Sequence, residues 1–212
     1  MNQNIQKWQQ YTKQIEDDLS DIMVRRKIYI DYMQIVKNNP SIQNPIDFHD
    51  WARGNYAIAM SILVRKQVEG GSIGIRKLVN EIKSTPQDLN LSWYESLYSK
   101  GIRPFAESTF ITLAGGIPHI SEGVLMADIK CLENIYSRVG QYASKKIAHN
   151  TGFKFTQLPT YNDLDEAILE LERIGLRYIQ LLSGNGINTL EPVWQYDWTN
   201  IFKEKWIKQM VT

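Results

Sequence analysis

The 212 residues carry 24 Lys and Arg against 23 Asp and Glu, a net charge of +1, so overall charge draws the chain to no polyanion and any nucleic-acid site must be a local patch. With 43% hydrophobic residues the chain can fill one domain, 1–212, and no apolar run approaches the ~20 residues of a membrane span. The opening MNQNIQKWQQ has no signal-peptide apolar segment and the single cysteine, Cys131, excludes an internal disulfide, so a cytoplasmic protein with no membrane partner is expected.

Residues 4 to 38 predict a long helix or two abutting ones, with Trp8, Tyr11, Ile15, Leu19, Ile22, Tyr29, Met33 and Val36 at helical spacing until Asn38-Asn39-Pro40 stops it. Asp17, Asp18 and Asp21 read as a solvated face rather than a metal site. Asp47 starts a second helix whose apolar stripe is Phe48, Trp51, Ile58 and Ile62, interrupted by Asn55. An amide on such a stripe is expected to bond inside the protein, or to reach the site described below. Gly70-Gly71-Ser72-Ile73-Gly74 lacks the Gly-Lys-Ser/Thr of a phosphate loop and reads as a turn, with Ser72 capping a helix that buries Ile75, Leu78, Val79 and Ile82. Ser92-Trp93-Tyr94-Glu95 reads as a capping box, and 99–120 as loop with a helical turn.

The stretch 121–149 predicts one long helix at the centre of the bundle. Leu125, Ile129, Leu132, Tyr136, Val139 and Ala143 form its core face, and Gly152 is expected to supply a left-handed exit. At about 100° per residue, Arg138, Tyr142, Lys145 and His149 form a second, basic row beside that face. Thr160-Tyr161-Asn162-Asp163 starts another helix, buried along Leu164, Ile168, Leu171, Gly175, Tyr178 and Leu182 and ended by Ser183-Gly184. Trp198, Ile201, Phe202 and Trp206 mark a last helix over Trp194 to Met210, the 159–212 part packing on the rest. The expected fold class is all-α, a helical bundle.

The run Tyr142-Ala143-Ser144-Lys145-Lys146-Ile147-Ala148-His149-Asn150 resembles the signature of HEPN domains, all-helical domains of bacterial toxins, phage-defence proteins and RNA-cleaving nucleases. That signature sets an Arg, often followed by a polar residue, then four to six residues and a His, commonly written Ala-His. Ala148-His149 matches the second half, while Tyr142, Ala143 and Ser144 stand where the Arg would be. Trp51-Ala52-Arg53-Gly54-Asn55-Tyr56 leading to Arg65-Lys66-Gln67-Val68, together with Ser72 to Ile82 and the Trp198 to Trp206 end, is similar to the abortive-infection branch of that superfamily.

The resemblance implies metal-independent RNA cleavage. A base removes the proton of a ribose 2′-hydroxyl, which attacks the adjacent phosphate and leaves a cyclic phosphate. His149 suits the base because imidazole titrates near neutrality. A cation must balance the phosphorane; Lys145, one turn back, is the candidate in place of the family's Arg. Lys146, Asn150, Tyr142, Arg138 and Asn55 are the candidate substrate-binding residues, with RNA or a nucleotide as partner. Arg138 lies about 16 Å back along an α-helix and reaches such a phosphate only across a dimer. The basic row and the aromatic tail are more adhesive surface than a monomer needs, so a two-fold homodimer with His149 near the partner is expected. The alternative is a catalytically inactive HEPN-like module that binds RNA, nucleotide or a protein. His49, His119 and His149 stand far apart with no cysteine at zinc spacing, and no metal or cofactor is expected.

Overall fold

The computed structural model describes residues 2–149, 152 and 154–204 and is all-α. Among the described residues there is no sheet; one isolated antiparallel bridge pairs Asn90 with His119. No described helix is long and apolar enough to cross a membrane.

Helix α1 runs Gln3–Asn38 without a break. The Asn2 side chain accepts from the Asn4 N–H at its start (2.9 Å), and Asn39-Pro40 ends it. Trp8, Ile15, Leu19, Ile22 and Val36 are buried, as their spacing predicts.

Helix α2, Asp47–Val68, turns the other way from its predicted face. Met60, Ser61, Val64, Gln67 and Val68 point into the core, while Phe48, Trp51, Ile58 and Ile62 are exposed. Asn55 is exposed with them and donates to the Trp51 carbonyl of its own helix (2.8 Å), not to an interior partner. The inward face includes two polar residues, so polarity alone selects the wrong side. Gln67 is tolerated there because both ends of its amide are used: Nε2 donates to Asp18 (2.9 Å) and Oε1 accepts from the Ile75 N–H (3.3 Å).

Helix α3, Ile75–Ser84, follows with Ile75, Leu78, Val79 and Ile82 buried. Its N-cap is Gly74, not Ser72, whose hydroxyl donates to the Lys66 carbonyl (3.0 Å). The approach is close: a Cβ on Gly74 would lie 2.5 Å from the Lys66 oxygen. Helix α4, Leu91–Ser96, is capped two residues earlier than predicted, by Asn90 accepting from the Trp93 N–H (3.0 Å). Helix α5, Arg103–Ala114, occupies much of the stretch read as loop. Ala106, Phe110 and Ala114 bury one side, and the Thr109 and Thr112 hydroxyls donate to carbonyls four residues back. Burial of that side outweighs threonine's weak helix propensity and the slight cost of the back-bonding hydroxyls, which propensity alone does not reveal. Gly115, at φ +89°, closes the helix.

Helix α6, Glu122–Ile135, is capped by Ser121, which accepts from the Val124 N–H (3.2 Å). Helix α6 then continues as two π-helical segments, Tyr136–Gly140 and Ala143–Ala148, which form its second half. The predicted span 121–149 is therefore helical, but its second half is wound i→i+5. Gly140 sits where a Cβ would lie 2.6 Å from the Tyr136 ring and 3.3 Å from Val68, so the wider winding coincides with the closest approach to α2. The helix ends at His149 (φ −119°), and Gly152 does not take the left-handed conformation expected of it.

Helix α7, Tyr161–Ser183, begins with the predicted capping box: the Asp163 N–H donates to the Thr160 hydroxyl oxygen (3.1 Å) and the Thr160 N–H to the Asp163 carboxylate (2.8 Å). Gly184, at φ +72°, ends it. It packs on α1, α2, α3, α5 and α6, so α7 rather than α6 is the centre of the bundle. Leu171, Ile174, Tyr178 and Leu182 are each almost wholly buried, worth roughly 1.5–3 kcal/mol per large side chain. One apolar cluster runs from Ile5 to Leu182. Beyond it, over the described part of the predicted last helix, the chain forms a 3-10 turn, Trp198–Lys203. Asp197 accepts from the Thr199 N–H (3.0 Å) and starts a new turn there, which breaks a helix running from Trp194. Trp206 and Met210 lie outside the described residues.

Candidate functional site

The end of α6 is held from two sides. Its first half is anchored by Leu125, Leu132 and the buried carboxylate of Asp128, on which Arg177 (2.5 Å to Oδ1) and the Tyr178 hydroxyl (2.9 Å to Oδ2) converge from α7. Its second half packs on α2, with Val139 and Ala143 buried.

Between these supports the π-helical winding splits the predicted basic row in two. Arg138 turns to α7: its Nη2 donates to Asp163 (2.5 Å) and Glu166 (2.8 Å), and its Nε to Asp163 (3.2 Å). Glu166 and then Asp163 raise its pKa, so the guanidinium is charged at every accessible pH. Asp163 is pushed down to about 2, first by the Thr160 N–H, then by the Thr160 hydroxyl and Arg138. Tyr142 also turns inward, edge-on to Phe155 (5.8 Å between rings), and lines a cavity of about 210 Å³ with Ala57, Thr160 and Tyr161. Lys145, Lys146 and His149 are exposed.

Lys145, Lys146 and His149 thus stand exposed on the outer end of α6, within five residues of one another in sequence. It does not bring Arg138 or Tyr142 to them as a single row. Asn55 lies on the outer side of α2 and donates within its own helix. Asn150 is outside the described residues. The outer end holds cations and one imidazole, which suits a phosphodiester backbone: lysine meets phosphate as a point charge, and imidazole accepts or gives a proton near neutral pH. Among the described residues no group of three His, Cys, Asp or Glu gathers that would hold a metal ion.

Two features escaped the sequence reading. His49 is buried on α2, and its two ring nitrogens are taken by the Tyr32 hydroxyl and the Ile42 carbonyl (2.5 Å). The carbonyl only accepts, so Nε2 carries hydrogen and a neutral ring receives the Tyr32 proton on Nδ1. That histidine is a fastening between α1 and α2. The second feature is an apolar groove of about 470 Å³ between the same helices, walled by Tyr29, Tyr32, Phe48 and Tyr56. Recurring aromatics at helical spacing on both helices were its only signal.

Comparison with models of protein families, with curated proteins and with solved structures finds no match to this chain.

Proposed function

We propose that this chain is a HEPN-like protein of bacterial toxin or phage-defence type that acts on RNA as a metal-independent endoribonuclease, with His149 as the general base. The observation that carries the reading is the exposed grouping of Lys145, Lys146 and His149 at the end of α6, on the segment whose Ala148-His149 resembles the HEPN signature. Two lysines supply point charges for the phosphate, and π-helical segments are found frequently at functional sites. Lys145 takes the role of the family's arginine and balances the developing phosphorane charge.

One observation favours a second reading, a HEPN-like module that binds RNA, nucleotide or protein without cutting. Arg138 is occupied by Asp163 and Glu166, which leaves the outer end with lysine alone where the family uses the bidentate fork of arginine.

The test is end-group analysis of a labelled RNA incubated with the protein in excess EDTA. Cleavage that survives chelation and leaves 2′,3′-cyclic or 3′-phosphate ends supports the nuclease; intact RNA, with binding weakened by joint Lys145→Ala and Lys146→Ala substitution, supports the module.

A further inference from the structure

The cavity of about 210 Å³ lies where α2, the π-helical half of α6 and the start of α7 meet. Val139, Leu164 and Ser61 form its floor, none more than 4% exposed, and Tyr142, Thr160 and Tyr161 stand round it. Ser84 and Ser183, also on helices, donate to carbonyls four residues back (3.2 and 2.7 Å). Ser61 does not: no hydrogen bond among the described residues uses its hydroxyl. A buried hydroxyl without a partner is costly to keep, which points to something that enters the cavity and bonds to it. One water has a share of about 30 Å³, far less than this space. The cavity is also smaller than the about 300–1,000 Å³ that encloses a whole drug-sized ligand. It fits one flat polar ring, with the rest of the molecule outside.

The walls suit such a ring. Tyr161 is 48% exposed, and its ring is held nearly parallel to Tyr29 (12°, centres 6.5 Å apart), which stacks on Tyr56 at 3.7 Å. An aromatic ring ordered by its neighbours stacks on a ligand at little cost in entropy. The hydroxyls of Ser61, Tyr142 and Tyr161 can each give and accept a hydrogen bond, as the edge of a nucleobase requires. What lies outside the cavity favours a base over other flat rings. Tyr142 precedes Lys145 by three residues and His149 by seven, at most about 10 Å along the helix at ~1.5 Å per residue. A phosphate at the lysines is then close enough for a base of the same strand to reach the cavity. Asp163, bonded to Thr160 at the cavity wall, is held by Arg138 at 2.5 Å, which offsets its repulsion of that phosphate.

We infer that this cavity takes the base of one unpaired nucleotide of an RNA strand whose phosphate meets Lys145 and Lys146, with Ser61 bonding to the base edge and Tyr161 stacking on its face. A base inside a duplex has its edge paired and its faces stacked, so the strand is single at that point. The inference rests on the reading that the end of α6 acts on RNA, and adds which part of the RNA is gripped.

Fluorescence anisotropy of the full chain with two probes tests it. One probe is a short single-stranded 2′-O-methyl RNA, which has no free 2′-hydroxyl and is not cut by the proposed chemistry; the other is the same backbone without bases. The first should bind at least about tenfold more tightly. Tyr161→Ala should remove most of that preference. Ser61→Ala should weaken binding of the first probe by about two- to tenfold, the worth of one hydrogen bond. Neither should change affinity for the second. Ser61→Ala breaks no bond within the chain and should keep the wild-type melting temperature, so that its effect is not one of folding; circular dichroism establishes that Tyr161→Ala is folded. Equal affinity for the two probes, or a preference that survives both substitutions, overturns the inference and leaves cleavage to be judged separately. A mononucleotide that binds as tightly as the oligomer, and loses affinity in Ser61→Ala, gives the cavity to free nucleotides and overturns its place in RNA. Base-dependent binding that Tyr161→Ala abolishes, with RNA left whole in EDTA, upholds the inference and ends the nuclease reading instead.

Discussion

The two halves of one helix treat their polar residues in opposite ways. In Glu122–Ile135, Asp128 is 1% exposed, and Arg177 and the Tyr178 hydroxyl meet it from α7. In Ala143–Ala148 and His149, the charged and titratable side chains face outward. A carboxylate buried and fully paired orients two helices, whereas Lys145, Lys146 and His149 stand at a solvent-exposed helix end. Arg138 lies between the two halves and shares the character of the first, since α7 has claimed it. The pairing of Arg138 shows that a charge read from the sequence as functional can instead be spent on packing two helices together.

The sharpest break of this contrast is Asp128→Ala. It strands the Arg177 guanidinium and the Tyr178 hydroxyl, and removal of one partner from a buried pair costs about 3–5 kcal/mol. At ~2–4 °C per kcal/mol for a chain of this size, the melting temperature should fall by roughly 6–20 °C in a calorimetric scan. A fall of a degree or two would mean that the network contributes little to holding the helices together.

A smaller loss is expected at the junction of the halves. Gly140→Ala sets a methyl 2.6 Å from the Tyr136 ring and 3.3 Å from Val68, so ring and helix must shift. Overpacking of this kind costs about 1–3 kcal/mol, to be read from urea unfolding midpoints. Unchanged stability would mean that the π-helical turns yield without strain.

The smallest effect should be pH-dependent. Asp163 has its folded pKa lowered from 3.8 to about 2, so its stabilisation is complete above about pH 4 and drains away as pH falls toward 2. Asp163→Asn should therefore be less stable than wild type near neutrality, with the gap closing between pH 4 and 2. A gap that stays constant across that range would mean that the charge of the Asp163 carboxylate contributes nothing to the difference.

How far the sequence revealed this depended on how cleanly each element sorts its residues. In α7 every predicted core position, from Leu164 to Leu182, is buried, because nearly all of its apolar residues lie on one side, with Leu169 the exception, and the Thr160 cap fixes its start. In α2 the most apolar stripe is the one left exposed, while Ser61 and Gln67 go inward because neighbours satisfy them. No residue pattern distinguished i→i+5 winding from i→i+4 over Tyr136–Ala148. The capture of Arg138 depended on where Asp163 and Glu166 would stand, a tertiary fact between partners 25 and 28 positions apart in sequence.

The account turns on whether the exposed imidazole does chemistry. The direct measurement is the single-turnover cleavage rate of one RNA by wild type and by His149→Ala, in EDTA, with both proteins shown to be equally folded. The account predicts cleavage by the wild type and a loss of at least ~10²-fold in the variant, the scale on which a general base acts. Equal rates, or an inert wild type, would contradict it.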